Sequence, residues 1–206
     1  MGPGPTMGER GLVARAATTQ AGETNMSAQS ELTGTWSIDP SHTRVGFSSR
    51  HAMVTKVRGT FSEFEGTATT GPDLQGAQIE LTAQVASVDT RNADRDGHLK
   101  TGDFFEVETF PTLTFRSTAV EAADADTLRV TGDLTIKDVT KPVELAVEFL
   151  GEGKDPWGGT RIGVEATGQI SRKEFGIDFN IPLEGDKVMI GDKISLQINA
   201  EAVLQA

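Results

Sequence analysis

Apolar and polar residues alternate along most of the chain. Every second position is apolar or small in Ile79, Leu81, Ala83 and Val85, and in Leu128, Val130, Gly132, Leu134 and Ile136. The same period runs through Leu113, Phe115 and Ser117 after Pro111, and through Val143, Leu145, Val147 and Phe149 after Pro142. It returns in Ile162, Val164, Ala166, Gly168 and Ile170, and in Ile194, Leu196, Ile198 and Ala200. A strand points successive side chains to opposite faces, so each run predicts a strand with one apolar and one polar face. From Trp36 onward, Val45, Phe47 and Ser49 behave alike, as does the stretch from Gly59 to Gly66, where Phe61 and Phe64 are spaced as at a bulge. Turn signals such as Gly71-Pro72-Asp73 and Gly151-Glu152-Gly153 separate the runs. Roughly eight strands result, with no internal repeat.

An antiparallel set of this size must manage its edges, and closure into a barrel does so completely. An all-β, eight-stranded antiparallel β-barrel with an apolar interior is therefore expected. Small residues interleave with the large ones: Gly46, Ala83, Gly132, Gly163, Ala166 and Gly168. If part of this set points inward, room remains for a ligand. A sandwich, or a barrel whose large side chains fill the interior, stays open as the alternative.

The period breaks between Asp89 and Phe105. Asn92 is placed to cap a short helix, with Asp94 and Asp96 in its first turn, Lys100 in its last and Gly102 at the left-handed position beyond. Asp96 and Lys100 are four apart, in the favourable order. The stretch ends in Phe104-Phe105.

Residues 1–33 have no periodicity and few apolar positions, so they are expected to be a disordered segment or tag ahead of one domain over 34–206. Leu12-Val13-Ala14 is too short for the core of a signal peptide, so a cytoplasmic protein is expected, or a periplasmic or secreted one if a leader has been removed. The formal charge of −11 argues against nucleic acid and against purely electrostatic docking on anionic membranes, although a local basic pocket is compatible with it. No transmembrane segment is expected, because no apolar run is long enough. With no cysteine, disulfides and thiolate chemistry are excluded.

Candidate chemistry is sparse. His42, His51 and His98 show no metal-ligand spacing, and no metal or cofactor is expected. Asp94-Arg95-Asp96 is not the start of a calcium loop, because the glycine falls one residue early and no closing glutamate is in place. Gly151-Glu152-Gly153-Lys154 is not a phosphate loop, and no Gly-x-Ser-x-Gly elbow occurs. His51, Arg95, His98, Lys100 and Arg172 remain. They are read either as anchors of the helix to a barrel end or as a polar rim for the head of an apolar ligand.

Taken in order, the motifs resemble those of the YceI-like proteins. They include Trp36-Ser37-Ile38-Asp39-Pro40-Ser41-His42, Gly59-Thr60-Phe61, Arg95-Asp96-Gly97-His98-Leu99, Asp103-Phe104-Phe105, Phe110-Pro111 and Ser171-Arg172-Lys173-Glu174-Phe175-Gly176. The resemblance spans about residues 35 to 205. It implies a lipocalin-like barrel whose cavity holds a polyisoprenoid chain, such as an isoprenoid quinone or a prenyl phosphate, in a carrier, storage or stress role. It also admits a homodimer. The lipid tail is then expected against Phe47, Leu81, Val85, Leu113, Phe115, Leu134, Leu145, Val147, Val164 and Phe175, with Phe104 and Phe105 closing one end. No catalytic residue is expected. Two rivals stay open: an enzyme using His51 or His98 with a carboxylate on a hydrophobic substrate, and a partner-binding barrel with no small ligand.

Overall fold

The computed structural model of the protein describes residues 1–2, 32–185 and 187–205. The expectation for the amino-terminal segment falls mostly on residues 3–31, outside the described residues. Eleven strands are formed: β1 (Gly34–Ile38), β2 (Arg44–His51), β3 (Thr55–Phe61), β4 (Phe64–Thr70), β5 (Gln78–Gln84), β6 (Val88–Asp89), β7 (Thr112–Ala122), β8 (Thr127–Ile136), β9 (Val139–Lys154), β10 (Thr160–Ser171) and β11 (Ile190–Leu204). The helix α1 spans Ala93–Leu99.

These eleven are eight barrel strands, three of them interrupted. Both β1 and β2 run antiparallel along β11, with Trp36 opposite Leu204 and Phe47 opposite Leu196. They are one strand broken over residues 39–43. In the same way β4 pairs with β1 while β3 pairs with β2, and β5 pairs with β4 while β6 pairs with β3. The break at Ser62-Glu63 is the irregularity that the Phe61–Phe64 spacing predicts. Every remaining strand pairs with the next in sequence from β7 to β11, and β5 pairs with β7. The first and last strands meet, so the sheet closes and leaves no long edge.

Inward faces carry the period-2 apolar sets. In β8, Val130, Leu134 and Ile136 are buried, and in β9 Leu145 and Val147 are. Gly132 shares their face, and a methyl group there would lie 2.4 Å from Phe115 Cζ and 2.6 Å from the Arg116 carbonyl. Its missing side chain lets the Phe115 ring lie flat against the wall. Gly59 does the same for Phe47, the residue opposite it, where a methyl would fall 2.4 Å from the ring. Glycines beside aromatic rings thus let those rings lie along the wall. Gly132→Ala is expected to destabilise the fold by about 2 kcal/mol, because a backbone carbonyl as well as the ring blocks the methyl. That lowers Tm by roughly 4–8 °C, measurable by calorimetry.

The helix meets its sequence-based expectation at one end only. Asn92 caps it, its side chain accepting from Arg95 N at 2.9 Å. At the other end Lys100 is the cap residue, still in right-handed conformation, and Gly102 takes no left-handed φ. The chain instead continues in tight turns, with Thr101 N donating to His98 O and Phe104 N to Thr101 O. Asp96 does not answer Lys100 either. Its carboxylate turns back to accept from Thr90 N at 2.9 Å and from the Thr90 hydroxyl, stitching α1 to the end of β6.

Candidate ligand-binding site

The barrel is hollow. A cavity of about 660 Å³ runs along its inside, within the span of roughly 300–1,000 Å³ usual for small-molecule sites. Its wall is mostly Leu, Ile, Val and Phe from all eight barrel strands. The two ends differ. At one end Leu32, Trp36, Leu74 and Ala202 form a buried cluster with Ile162. The Leu32 carbonyl accepts from Trp36 Nε1 at 2.8 Å and also from the Thr70 hydroxyl. Leu74 holds a left-handed φ of 63° in this plug. At the other end the lining residues Arg50, His51, Asp94, His98 and Ile181 are exposed. That end is the mouth.

Most residues assigned to the tail lie on this cavity: Phe47, Leu81, Leu113, Phe115, Leu134, Leu145, Val147 and Val164, with Phe104 and Phe105. Val85 and Phe175 do not. Val85 falls in a 3₁₀ turn just after β5, and Phe175 in one just after β10. Alternation carries Val85 only as far as the end of β5, and Phe175 lies four residues beyond β10, so both side chains pack into the solid core instead, at 2% and 1% exposure. The period-2 runs also contained Ile79, Val130, Ile136, Val143, Ile162, Ile170, Ile194, Leu196 and Ile198, all of which line the cavity. Trp36, Phe179 and Met189 were not assigned, since they lie in a short strand or in irregular backbone where no period marks them.

Around the mouth, Phe104 and Phe179 meet His98 edge-on, with ring centroids 5.0 and 4.9 Å away. A second aromatic row links Phe47, Phe61 and Phe105 at 5.5 and 6.0 Å. His98 Nε2 stands 2.8 Å from Asp103 Oδ2, the imidazole–carboxylate pair that the enzyme reading requires. Arg95 lines the mouth, but its Nε and Nη2 donate to the Thr90 hydroxyl and carbonyl at 2.7 and 2.8 Å, so it anchors the helix. His51 lines the mouth from the end of β2. Lys100 does not line it. Two helical residues beyond His98, it is turned about 200° around the axis and away from the lumen.

Arg172 is the buried cation of the site, 4% exposed and on the cavity wall. It donates to the carbonyls of Ile177 at 2.6 Å, Gly191 at 3.2 Å and Ile190 at 3.5 Å. Burial pulls its affinity for the proton below the ordinary arginine value, against the opposing pull of Asp192 and Asp178. Three of its five N–H groups are accounted for by these carbonyls, leaving donors for a ligand head.

A second cluster brings together residues that no local motif joins. Across the break between β1 and β2, Arg161 Nη1 donates to Asp39 Oδ2 at 2.7 Å and to Glu201 Oε1, and its Nε donates to Asp155 Oδ2 at 2.9 Å. His42 Nδ1 lies 3.0 Å from Asp39 Oδ2. Asp39, His42 and Glu201 place ligand atoms within 4.8 Å of one another, as a metal site would. Arg161 already donates to both carboxylates, so the group is a clasp over the barrel seam. Hydrogen bonds from Arg161, then His42 and Ser41, hold the Asp39 carboxyl well below the usual carboxylate range, and Arg161 lowers Asp155 likewise. Carboxyls depressed by folding contribute stability above their unfolded pKa of about 3.9 and lose it as pH falls toward the folded value. Arg161→Gln is therefore expected to lower Tm at neutral pH, with the gap to the native protein closing as pH falls below about 4. Thermal melts across pH measure this.

Among the described residues, no helix is long and apolar enough to cross a membrane.

The family model of the YceI-like domain matches residues 36–202. The chain is 39% identical over 182 residues to the protein YceI of Escherichia coli O157:H7, covering 87% of this chain and 92% of that one. Its fold is similar to that of BcnA from Burkholderia cenocepacia, with a TM-score of 0.70 at 22% identity over 80% of this chain and 98% of that one. It is also similar to a domain from Saccharophagus degradans described as polyisoprenoid-binding, with a TM-score of 0.60 at 16% identity over 82% of this chain and 98% of that domain. The closed eight-stranded barrel and the match across nearly all of it establish that the chain belongs to the YceI-like domain family.

Proposed function

We propose that the protein binds one long polyisoprenoid lipid inside the barrel and acts as its carrier, without catalysing a reaction. The carrying observation is the cavity: long, walled mostly by aliphatic and phenyl side chains and plugged at Trp36, with its imidazole and charged side chains gathered toward the mouth. A branched hydrocarbon chain fits such a space. Each methylene moved from water contributes about 0.8 kcal/mol, so several isoprene units outweigh the cost of ordering the chain. The likeness to the Saccharophagus degradans domain described as polyisoprenoid-binding agrees with this reading. The head group, an isoprenoid quinone or a prenyl phosphate, meets Arg172, His51 and His98 at the mouth.

Trp36 gives a direct test. It is 1% exposed at the plugged end, while Trp157 is 87% exposed. In a Trp157→Phe background, isoprenoid alcohols of increasing length are titrated into delipidated protein. Trp36 emission should stay constant for short chains and shift once the chain reaches the plug. Equal responses to all lengths, or none, would reject a chain lying along the barrel.

The His98–Asp103 pair favours a second reading, acid–base chemistry on the head of the same lipid. Its ring is held edge-on to Phe104 and Phe179, which suits a wall residue better. Unchanged lipid in extracts of His98→Gln supports the carrier, and a different lipid supports the enzyme.

A further inference from the structure

The wall beside the mouth carries a charge opposite to that of the whole chain. The chain has 30 acidic residues, yet none occurs between Asp39 and Glu63. That stretch forms the β2–β3 hairpin and bears Arg44, Arg50, Lys56 and Arg58, all exposed. Arg50 stands directly opposite Lys56 in the register, and Arg58 opposite Ser48. Like charges opposed on one face destabilise a sheet. No carboxylate relieves them: ion pairs among the described residues involve Arg116, Arg129, Lys137, Arg161 and histidines, and none of these four. On the adjacent strand β11, Lys193 alternates with the inward Ile194 and extends the basic outer face.

The hairpin tip is equally unusual. Val54 N donates to His51 O at 3.0 Å, and the two residues between them, Ala52 and Met53, have φ of 50° and 60°. Such a turn favours asparagine and glycine, and Ala-Met occupies it against steric preference. Met53 and Val54 are 46% and 79% exposed. Ala52 N donates to Met189 O, and Met189 N to Ile181 O, which brings Ile181, 47% exposed, beside the tip. Three of the six exposed large apolar residues among those described thus share the lip of the cavity.

We infer that the β2–β3 hairpin docks the mouth onto the surface of an anionic lipid bilayer. Met53, Val54 and Ile181 enter the boundary between head groups and acyl chains, while the basic outer face rests on lipid phosphates. The rest of the molecule, strongly acidic, is repelled by the same surface and turns away from it. The lip is then held where an isoprenoid chain leaves or enters the bilayer, a role that rests on the carrier reading above.

Sedimentation with sucrose-loaded vesicles tests the docking, using the full chain. Vesicles of equal parts phosphatidylglycerol and phosphatidylcholine should bind the protein, and vesicles of phosphatidylcholine alone should bind it far less. Added salt should release it. Lys56→Glu with Arg58→Glu, and separately Met53→Ser with Val54→Ser, should each lower partition by roughly tenfold or more. These residues are exposed and lie off the cavity wall, so lipid extracted from the variants should match that from the native protein. Equal binding to both vesicle types, or variants that bind like the native chain, overturns the proposal. Failure of the native protein to bind anionic vesicles while its extract still yields isoprenoid overturns the docking alone and points the face toward a protein partner. Anionic-vesicle binding that both variants lose, with no isoprenoid in any extract, upholds the docking and defeats the carrier reading.

Discussion

Ala166→Phe is expected to cut lipid retention by about a hundredfold while leaving the fold intact. Ala166 lines the cavity midway along β10, opposite Ile198 on one side and Val147 on the other. A phenyl ring there projects into space that the small residue leaves open. Blocking one isoprene unit removes five carbons from contact with the wall. At about 0.8 kcal/mol per buried carbon the gross loss is roughly 4 kcal/mol. Partial relaxation of the chain leaves about 3 kcal/mol, or a factor of about 100. Overpacking penalties arise where a core is already full, and this interior is not. Quantifying isoprenoid per mole of purified variant, beside its melting temperature, separates the two effects. A variant that melts like the native protein and keeps its lipid would place the chain elsewhere.

Arg172→Leu is expected to destabilise the protein by about 3 kcal/mol. The leucine keeps an apolar stem but removes the donors that serve the carbonyls of Ile177, Gly191 and Ile190. Hydrogen bonds from a charged donor contribute about 1.5–3 kcal/mol, and a buried acceptor left without a partner costs about 1–3 kcal/mol. Release of the guanidinium's own burial cost offsets part of this. For a chain of this size the melting temperature falls by roughly 6–12 °C. These carbonyls tie the return segment after β10 to the start of β11, so the loss should appear first as faster amide exchange over residues 177–191. A melting temperature within a degree of the native value would show that Arg172 serves the ligand alone.

The legibility of this chain follows its periodicity. Wherever a strand is regular, alternation marks its inward face, and residues such as Leu134, Leu145 and Val164 line the cavity as that alternation requires. Where a strand stops, the rule fails within one residue, as Val85 just past β5 shows, and Phe175, four residues past β10, lies beyond its reach. The plug could not be read, because Leu32 and Leu74 lie in irregular backbone and Trp36 in a short strand. The clasp of Asp39, His42, Asp155, Arg161 and Glu201 is invisible for a different reason. Its members come from four separate stretches, and only barrel closure brings them together. The 89–105 insert was legible as a capped helix, but its ion pairing was not, because Asp96 prefers the backbone and hydroxyl of Thr90 to Lys100. Gly132, one of the small residues expected to make space, does so indirectly, by letting the Phe115 ring lie flat, and Gly59, which is not among them, does the same for Phe47.

The central claim is that the barrel holds a long isoprenoid chain. Mass spectrometry of an organic extract of the purified full chain tests it most directly. The account predicts one dominant species with a repeating isoprene tail, bound near one per protein and greatly reduced in Ala166→Phe. An extract free of lipid, or holding only fatty acids in amounts unaffected by Ala166→Phe, would contradict it.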